Sequence, residues 1–158
     1  MKLHKLIASG LGTGYAPIAP GTAGSILGIL IFYCFNFAFN KLGFQAHFIL
    51  GLNLVAILSL LLLGVYSIKK VHQIWIHDAP QIVVDEVVGV WIALIAIPFE
   101  WQYYVSALIL FRFFDILKPL FIRRLDKLKS DWSVMLDDVL AGVYANIVLQ
   151  AIVIFEVL

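Results

Sequence analysis

Four long apolar stretches, separated by polar segments, dominate the chain. The first two, Thr22–Phe39 and Ala46–Ile68, are each close to the ~20 residues that cross ~30 Å of hydrocarbon. The third, Val87–Phe111, is interrupted around Pro98, and the fourth is Val139–Val157. These runs are continuous, whereas the strands of a membrane β-barrel alternate every second residue. The pattern predicts an all-α, polytopic membrane helical bundle.

The third stretch is predicted to fold as a helical hairpin. Proline disfavours helix at the residue before it, and Glu100 is costly at the centre of a bilayer. We expect the limbs Val87–Ile97 and Gln102–Phe114, which turn around Pro98. At 1.5 Å per residue these limbs reach only about 17–20 Å, less than the full hydrocarbon thickness.

The N-terminal part of the chain does not resemble a cleaved signal peptide. Glycine and proline residues between positions 10 and 21 interrupt the apolar core that such a peptide needs. Residues 3–9 are predicted to form a short amphipathic helix at the membrane surface. No internal repeat or linker divides the sequence, so residues 1–158 are expected to form a single membrane-embedded domain.

Composition supports the membrane assignment. The chain of 158 residues is 63% hydrophobic and 13% charged, against roughly 45–50% and ~25% in soluble domains. These values exclude a disordered chain, a soluble nucleic-acid binder and a secreted disulfide scaffold. The lipid bilayer is therefore an expected partner, and nucleic acid is not.

The positions of the 11 lysine and arginine residues predict the orientation of the chain. One pair precedes the first span, a second pair follows the second span, and six lie between positions 112 and 129. Only Lys41 lies in a connection at the opposite end. With the hairpin, ten of the 11 cations share one face, which the positive-inside rule makes cytoplasmic.

Five acidic residues lie at the ends of apolar helices on this same face. Asp85 and Glu86 open one limb of the hairpin, Asp115 closes the other limb, and Asp137 and Asp138 open the last span. Helix dipoles explain acids near an N-terminus, at about 0.3–1 kcal/mol each, but they oppose Asp115 at a C-terminus. The alternative to a purely structural role is a bound cation, and carboxylates suit Mg²⁺ or Mn²⁺.

Residue spacing refines this hypothesis. Neighbouring residues on a helix point about 100° apart, so one member of each acidic pair is expected to bind the ion. The other member would hold a second metal, support the ligands or position water. Gly89 and Gly142 follow Asp85 and Asp138 by four residues. These glycines leave room beside each acid for a substrate headgroup or for a closely packed helix.

A glycine-rich segment over residues 10–25 leads directly into the first span and holds five of the 11 glycines. Thr22 is the predicted N-cap, with Ser25 one turn along. Free N–H groups at a helix start favour phosphate, so Gly21, Thr22, Gly24 and Ser25 form a candidate cradle. An ordinary surface turn is the alternative.

Four segments, in order, resemble the signature blocks of the phosphatidylglycerophosphatase A family: Thr13–Ser25, Ile82–Gly89, Phe111–Pro119 and Met135–Gly142. The resemblance implies a Mg²⁺-dependent phosphatase of the bacterial inner membrane. It would remove the terminal phosphate of phosphatidylglycerophosphate, its lipid substrate, to give phosphatidylglycerol. Phe121 stands where the family usually has a second proline.

The chemistry of a phosphate monoester suggests roles for the charged residues in these blocks. The predicted catalytic residues are Asp85, Glu86, Asp115 and Asp138, and the predicted ligands of one or two Mg²⁺ ions are these four together with Asp137. Arg112 and Lys118 flank Asp115 and are expected to bind the phosphate with the candidate cradle. Attack by water and a route through an aspartyl-phosphate both remain open.

Two other classes of membrane protein place acids in helices. A CDP-alcohol phosphotransferase would carry an Asp-Gly-x₂-Ala-Arg run, which this sequence lacks. A cation carrier needs its carboxylates near the middle of the bilayer. His77 and Asp78 are a further candidate metal or acid–base pair, while Asp126 and Asp131 are expected to tolerate replacement by asparagine.

The charge bias generates a topological prediction. In a Cys34→Ser background, Lys127→Cys should react with a membrane-impermeant thiol reagent in inside-out vesicles but not in intact spheroplasts. Lys41→Cys, on the opposite face, is the control with the reverse pattern. Labelling of Lys127→Cys in intact spheroplasts would contradict the hairpin.

Overall fold

The computed structural model describes residues 1–77 and 79–157, and every regular element in these ranges is helical. The all-α prediction is thus confirmed. A 3₁₀ segment, Gly10–Tyr15, follows the first of seven α-helices. These are α1 (Lys2–Ala8), α2 (Pro20–Lys41), α3 (Ala46–Val71), α4 (Val84–Ala93), α5 (Trp101–Leu117), α6 (Ile122–Asp126) and α7 (Ser133–Val157).

Three of these helices are long and apolar enough to cross a membrane. They are α2, α3 and the part of α7 from Ser133 to Phe155. Their outward-facing apolar side chains, such as Leu30, Val55 and Ile147, are exposed in the isolated chain. Exposed apolar surface on this scale is typical of helices that face lipid.

The predicted hairpin is present as α4 and α5, with the turn around Pro98. Its first limb begins earlier than expected, at Val84, and ends at Ala93 rather than at Ile97. The chain turns after Ala93 and adopts a left-handed conformation at Ala96, φ 55°, two residues before Pro98. Proline disfavours helix at the residue before it, so the helix does not extend to Ile97. Nearly every residue of α4 is buried. The short limb is therefore the centre of the bundle, enclosed by α2, α3, α5 and α7.

Polar side chains of α7 form hydrogen bonds with the free backbone carbonyls at the C-terminal end of α4. The Asn146 amide donates to the carbonyls of Ala93, at 3.0 Å, and Ile95, at 2.8 Å. The Gln150 amide donates to the same Ile95 carbonyl at 3.1 Å. Backbone groups freed inside a membrane protein need such partners, because lipid offers none. These contacts explain how a helix of ten residues ends within the bundle.

Gly89 and Gly142 allow α4 and α7 to pack closely, rather than leaving room for a substrate. A Cβ on Gly142 would clash with the backbone of Gly89, and a Cβ on Gly89 would lie 2.8 Å from the Asp138 carbonyl oxygen. Real Cβ atoms do not approach backbone atoms this closely, so the space beside each acid is filled by the other helix. No substrate headgroup has room there.

Two helix starts differ from the sequence expectation. The N-cap of α2 is Ala19, in a left-handed conformation, and Pro20 follows it, so the prediction that Thr22 is the cap was wrong. The last helix begins at Ser133, six residues before Val139. Reciprocal hydrogen bonds between Ser130 and Ser133 fix this start, because each hydroxyl accepts the other residue's backbone N–H.

Candidate metal centre and its cationic neighbours

A cavity of about 320 Å³ lies between the first turns of α2 and α4, the last turn of α5 and the beginning of α7. Seven of its lining residues are charged: Asp85, Glu86, Arg112, Asp115, Lys118, Asp137 and Asp138. All seven are predicted site residues, separated by up to 53 positions in the sequence. The fold thus brings together every charged residue that the sequence singled out for the site.

Asp85, Glu86 and Asp138 form the carboxylate trio at the centre of this cavity. One oxygen from each residue lies within 4.8 Å of the other two. Asp85 and Asp138 are buried, at 6% and 4% exposure. This trio can hold a metal ion, because hard carboxylate oxygens at this separation are ligands for Mg²⁺ or Mn²⁺.

The electrostatics of Glu86 fit a cation at the trio. Burial raises the pKa of the Glu86 carboxyl well above its ordinary value, and the adjacent Asp85 charge raises it further. Within the part of the chain that the structure describes, Glu86 Oε2 is buried and has no hydrogen-bond partner. A cation supplies the missing partner and offsets the repulsion among the three carboxylates.

The two acidic pairs differ in how many of their members join the trio, and which acids bind the ion stays a prediction. Asp138 joins the trio, whereas Asp137 turns towards Lys118. Both Asp85 and Glu86 join the trio. The longer side chain of Glu86 overcomes the angular separation that keeps shorter neighbours apart.

Asp115 lies beside the trio and is paired with an arginine. Its Oδ2 atom is 2.8 Å from Arg112 Nη1, and the same nitrogen is 3.7 Å from Glu86 Oε1. The two residues are three apart on α5, so the helix itself aligns them. Asp115 thereby holds a guanidinium next to the carboxylate trio, and its role as a metal ligand stays a prediction.

Lys118 connects Asp137 to a residue that the sequence reasoning missed. The Lys118 ammonium donates to Asp137 Oδ2 at 2.7 Å and to Asp126 Oδ1 at 2.5 Å. Burial lowers the pKa of Lys118, but these two charged hydrogen bonds outweigh it and raise the pKa above its usual range. Asp126 is eight residues from Lys118, on another helix, and no periodicity in the sequence indicates the contact.

Asp126 and Asp131 are therefore not isolated surface acids, because each contacts a basic side chain. Asp131 Oδ1 lies 2.6 Å from His72 Nδ1, in a contact between the segment after α3 and the segment before α7. The ring of His77 stacks on that of His72, with 5.1 Å between centroids. Asp78, the predicted partner of His77, lies outside the described residues.

Of the four candidate cradle residues, only Gly21 lines the cavity. A Cβ there would collide with the Glu86 carboxylate and lie 2.9 Å from Arg112 Nη1. A Cβ on Gly24 would instead lie 2.8 Å from Val83 Cβ, so this glycine serves the packing of α2 on the start of α4. The Ser25 hydroxyl donates to the Gly21 carbonyl at 2.9 Å and fixes the backbone below the cavity, while Thr22 does not line it.

The trio generates a prediction that is independent of any activity. Mg²⁺ should raise the thermal stability of the purified protein, by about 2.7 kcal/mol at a hundred times its Kd. Asp138→Asn should lose most of this gain, yet remain as stable as wild type without metal because one repulsive charge is gone. Thermal unfolding in detergent, with and without Mg²⁺, checks this.

The matched control is Glu100→Gln, which removes an exposed acid at the opposite end of the bundle and should keep the full gain. A full gain in Asp138→Asn would show that the metal binds elsewhere.

Comparison with known proteins identifies the family. Residues 6–153 match the family model of phosphatidylglycerophosphatase A. The chain is 44% identical over 152 residues to phosphatidylglycerophosphatase A of Haemophilus influenzae, covering 93% of this chain and 86% of that protein. It is 36% identical over 141 residues to phosphatidylglycerophosphatase A of Escherichia coli, covering 87% and 76%.

A third relative has a different name. The chain is 42% identical over 150 residues to a Bacteroides thetaiotaomicron protein whose name proposes a phosphatidylinositol-3-phosphatase, covering 93% of this chain and 91% of that protein. No solved structure matches the chain. The extent of the family match and the identities to the Haemophilus and Escherichia proteins show that this chain belongs to the phosphatidylglycerophosphatase A family.

Proposed function

We propose that this protein hydrolyses the terminal phosphate of phosphatidylglycerophosphate in the membrane, with Mg²⁺, to give phosphatidylglycerol and inorganic phosphate. Membership of the family supports this activity. The observation that carries it is the cavity in which a carboxylate trio, Arg112 and Lys118 converge at one end of helices long enough to span a bilayer. A metal and two cations are the means by which proteins bind a phosphate dianion.

The trio is the proposed metal site. Asp85, Glu86 and Asp138 would hold Mg²⁺ through their carboxylate oxygens. When bound, Mg²⁺ neutralises phosphoryl charge and lowers the pKa of a water molecule. Asp115 and Asp137 lie beside the trio and are proposed to act mainly on the cations that they pair with, Arg112 and Lys118.

The two cations are proposed to bind the phosphate on the sides away from the trio. Arg112 presents a planar guanidinium that matches two phosphoryl oxygens, and Asp115 fixes its orientation. Lys118 presents a single ammonium charge from the end of α5. Neutralisation of the charge that shifts onto the phosphoryl oxygens is the largest catalytic contribution that such residues make.

The first turn of α2 completes the proposed phosphate site. Its residues Ala19, Pro20 and Gly21 line the cavity, and backbone N–H groups at a helix start attract phosphate. A Cβ on Gly21 would collide with the Glu86 carboxylate and lie 2.9 Å from Arg112 Nη1, so the missing side chain lets both charged groups approach the start of α2.

Membrane geometry agrees with a lipid substrate. The protein is a membrane protein, and we propose that it is multi-pass in the bacterial inner membrane, with its cavity on the cytoplasmic side. The clustered basic residues support this orientation. The carboxylates gather at one end of the bundle rather than near its middle, which disfavours a cation carrier.

A phosphatidylinositol phosphate is the second candidate substrate, because one relative's name proposes that activity. Both lipids carry a phosphate monoester on a headgroup at the membrane surface, so the charged cavity suits either. The two headgroups differ in size, because the inositol ring is bulkier than glycerol. A direct comparison of the two phosphate-release rates shows which lipid is the substrate.

The activity prediction uses the purified protein in mixed micelles. It should release inorganic phosphate from phosphatidylglycerophosphate faster than from phosphatidylinositol 3-phosphate. EDTA should abolish release and Mg²⁺ should restore it. Asp85→Asn, Asp115→Asn and Asp138→Asn should each lose more than about tenfold in rate, or ~1.4 kcal/mol of transition-state stabilisation.

Glu100→Gln is again the control and should retain the wild-type rate. Full activity in EDTA would exclude the metal, and a preference for the inositol lipid would replace the proposed substrate.

Two glycines on α2 test whether the start of this helix shapes the proposed phosphate site. Gly21→Ala should abolish turnover with little loss of folded protein, because its Cβ would displace the Glu86 carboxylate and the Arg112 guanidinium, which are the ends of flexible side chains. Gly24→Ala should mainly lower stability, by about 1–3 kcal/mol of overpacking against Val83. The measurement is the phosphate-release rate per folded molecule, with folding checked by size exclusion.

The two variants are each other's control, since they add the same methyl group to the same helix. A normal specific rate in Gly21→Ala would remove α2 from the phosphate site.

A further inference from the structure

A second cavity adjoins the first one. It has a volume of about 260 Å³, and its lining includes His77, Asp126, Lys129 and Asp137. Asp137 lines both cavities. The Lys118 ammonium binds Asp137 and Asp126, so it stands at the boundary between the two spaces.

Among the residues that the structure describes, the hydrogen bonds of Lys118 leave one donor for a ligand. An ammonium group has three N–H donors. Asp137 accepts one, at 2.7 Å, and Asp126 accepts another, at 2.5 Å. The third is available to an acceptor in the first cavity, which Lys118 also lines. Two fixed carboxylates thereby orient a donor towards the space where the phosphate is proposed to bind.

Lysine needs such support more than arginine does. Its four-carbon stem is flexible, and its ammonium lacks the rigid fork of a guanidinium. Ordering a free lysine costs up to about 2 kcal/mol of side-chain entropy. Lys118 also follows the last turn of α5 in a left-handed conformation, φ 44°, where no helical neighbour aligns it. Its position therefore depends on its two carboxylate partners.

The position of Asp126 is in turn set by packing. Asp126 is the last residue of α6, a helix of only five residues. The first residue of that helix, Ile122, is fully buried, at 0% exposure, and anchors α6 against the bundle. Asp126 does not line the first cavity and does not belong to the trio. Among the described residues, its hydrogen bond to the lining of the first cavity is the one that it accepts from Lys118.

We propose that Asp126 is a positioning residue that holds the Lys118 ammonium in place to bind the substrate's phosphate. The inference rests on the proposed function for its consequence in catalysis. Asp126 contributes an acceptor oxygen at the right place, rather than a charge that acts on the substrate. Loss of that oxygen should weaken substrate binding while the residues of the trio remain intact.

Kinetics of three variants separate positioning from charge. Asp126→Ala should raise KM about tenfold with kcat within about twofold, because Lys118 binds the phosphate before and during the reaction. Asp126→Asn keeps an acceptor oxygen and should stay within about twofold of wild type. Lys127→Ala, an exposed neighbour, is the matched control and should match wild type. If Asp126→Ala fails to fold, Asp126→Ser takes its place, since its side chain is too short to reach the ammonium.

A double-mutant cycle tests whether Asp126 acts through Lys118. Lys118→Met should raise KM at least as much as Asp126→Ala, and the double variant should equal Lys118→Met alone. Additive losses would indicate that Asp126 supports the fold by another route.

Chemical modification reports on Lys118 without any enzyme assay. An amine-acetylating reagent should modify Lys118 more slowly than the exposed Lys127 in the wild-type protein, as measured by mass spectrometry of the peptides. Asp126→Ala should raise the Lys118 rate relative to that of Lys127, although Asp137 still binds the ammonium, and Asp126→Asn should leave it slow. If wild-type protein releases no phosphate, the proposed function fails, and this experiment still decides the position of Lys118.

An unchanged KM together with unchanged labelling in Asp126→Ala would overturn the inference. Equal losses in Asp126→Ala and Asp126→Asn would also overturn it, because the effect would then follow charge alone.

Discussion

The carboxylate trio is the constraint on which the rest of the structure depends. Three acidic side chains within 4.8 Å of one another repel, so they stay together only where packed helices fix them. The contact between Gly89 of α4 and Gly142 of α7 provides that fixation. Each glycine lies four residues, about one turn, after an acid of the trio, Asp85 or Asp138. Close approach of the two backbones therefore sets the distance between carboxylates on different helices.

The charges around the trio are balanced in pairs. Arg112 lies against Asp115, and Lys118 lies against Asp137 and Asp126. These pairs offset the cost of partly burying charge next to an apolar bundle. Arg112 Nη1 is shared between the trio and Asp115, at 3.7 Å from Glu86 Oε1 and 2.8 Å from Asp115 Oδ2. The three carboxylates of the trio therefore carry negative charge that a metal ion would balance. The paired cations remain close enough to contact a phosphate in the same cavity.

The end of α4 inside the bundle needs hydrogen-bond partners from the protein itself. A site at the end of a short helix places unsatisfied backbone groups inside the bundle, where lipid offers no hydrogen bonds. Here α4 is enclosed by its neighbours, and Asn146 and Gln150 of α7 bind the carbonyls at its end. The same helix, α7, thus carries Asp138 at one end of α4 and closes the other end. That arrangement fixes α4 along its whole length, and with it the site.

The sequence by itself determined the helical class, the three helices that are long and apolar enough to cross a membrane, the hairpin, the charged residues of the cavity and the family. Continuous apolar stretches, a proline and acids at helix ends are local features, so the sequence alone reveals them. Only the tertiary structure decided that Asp138 and not Asp137 joins the trio, that Gly24 packs against Val83, and that Asp126 reaches Lys118. These are distances between side chains on different elements. They follow from how closely helices pack, which no local pattern records.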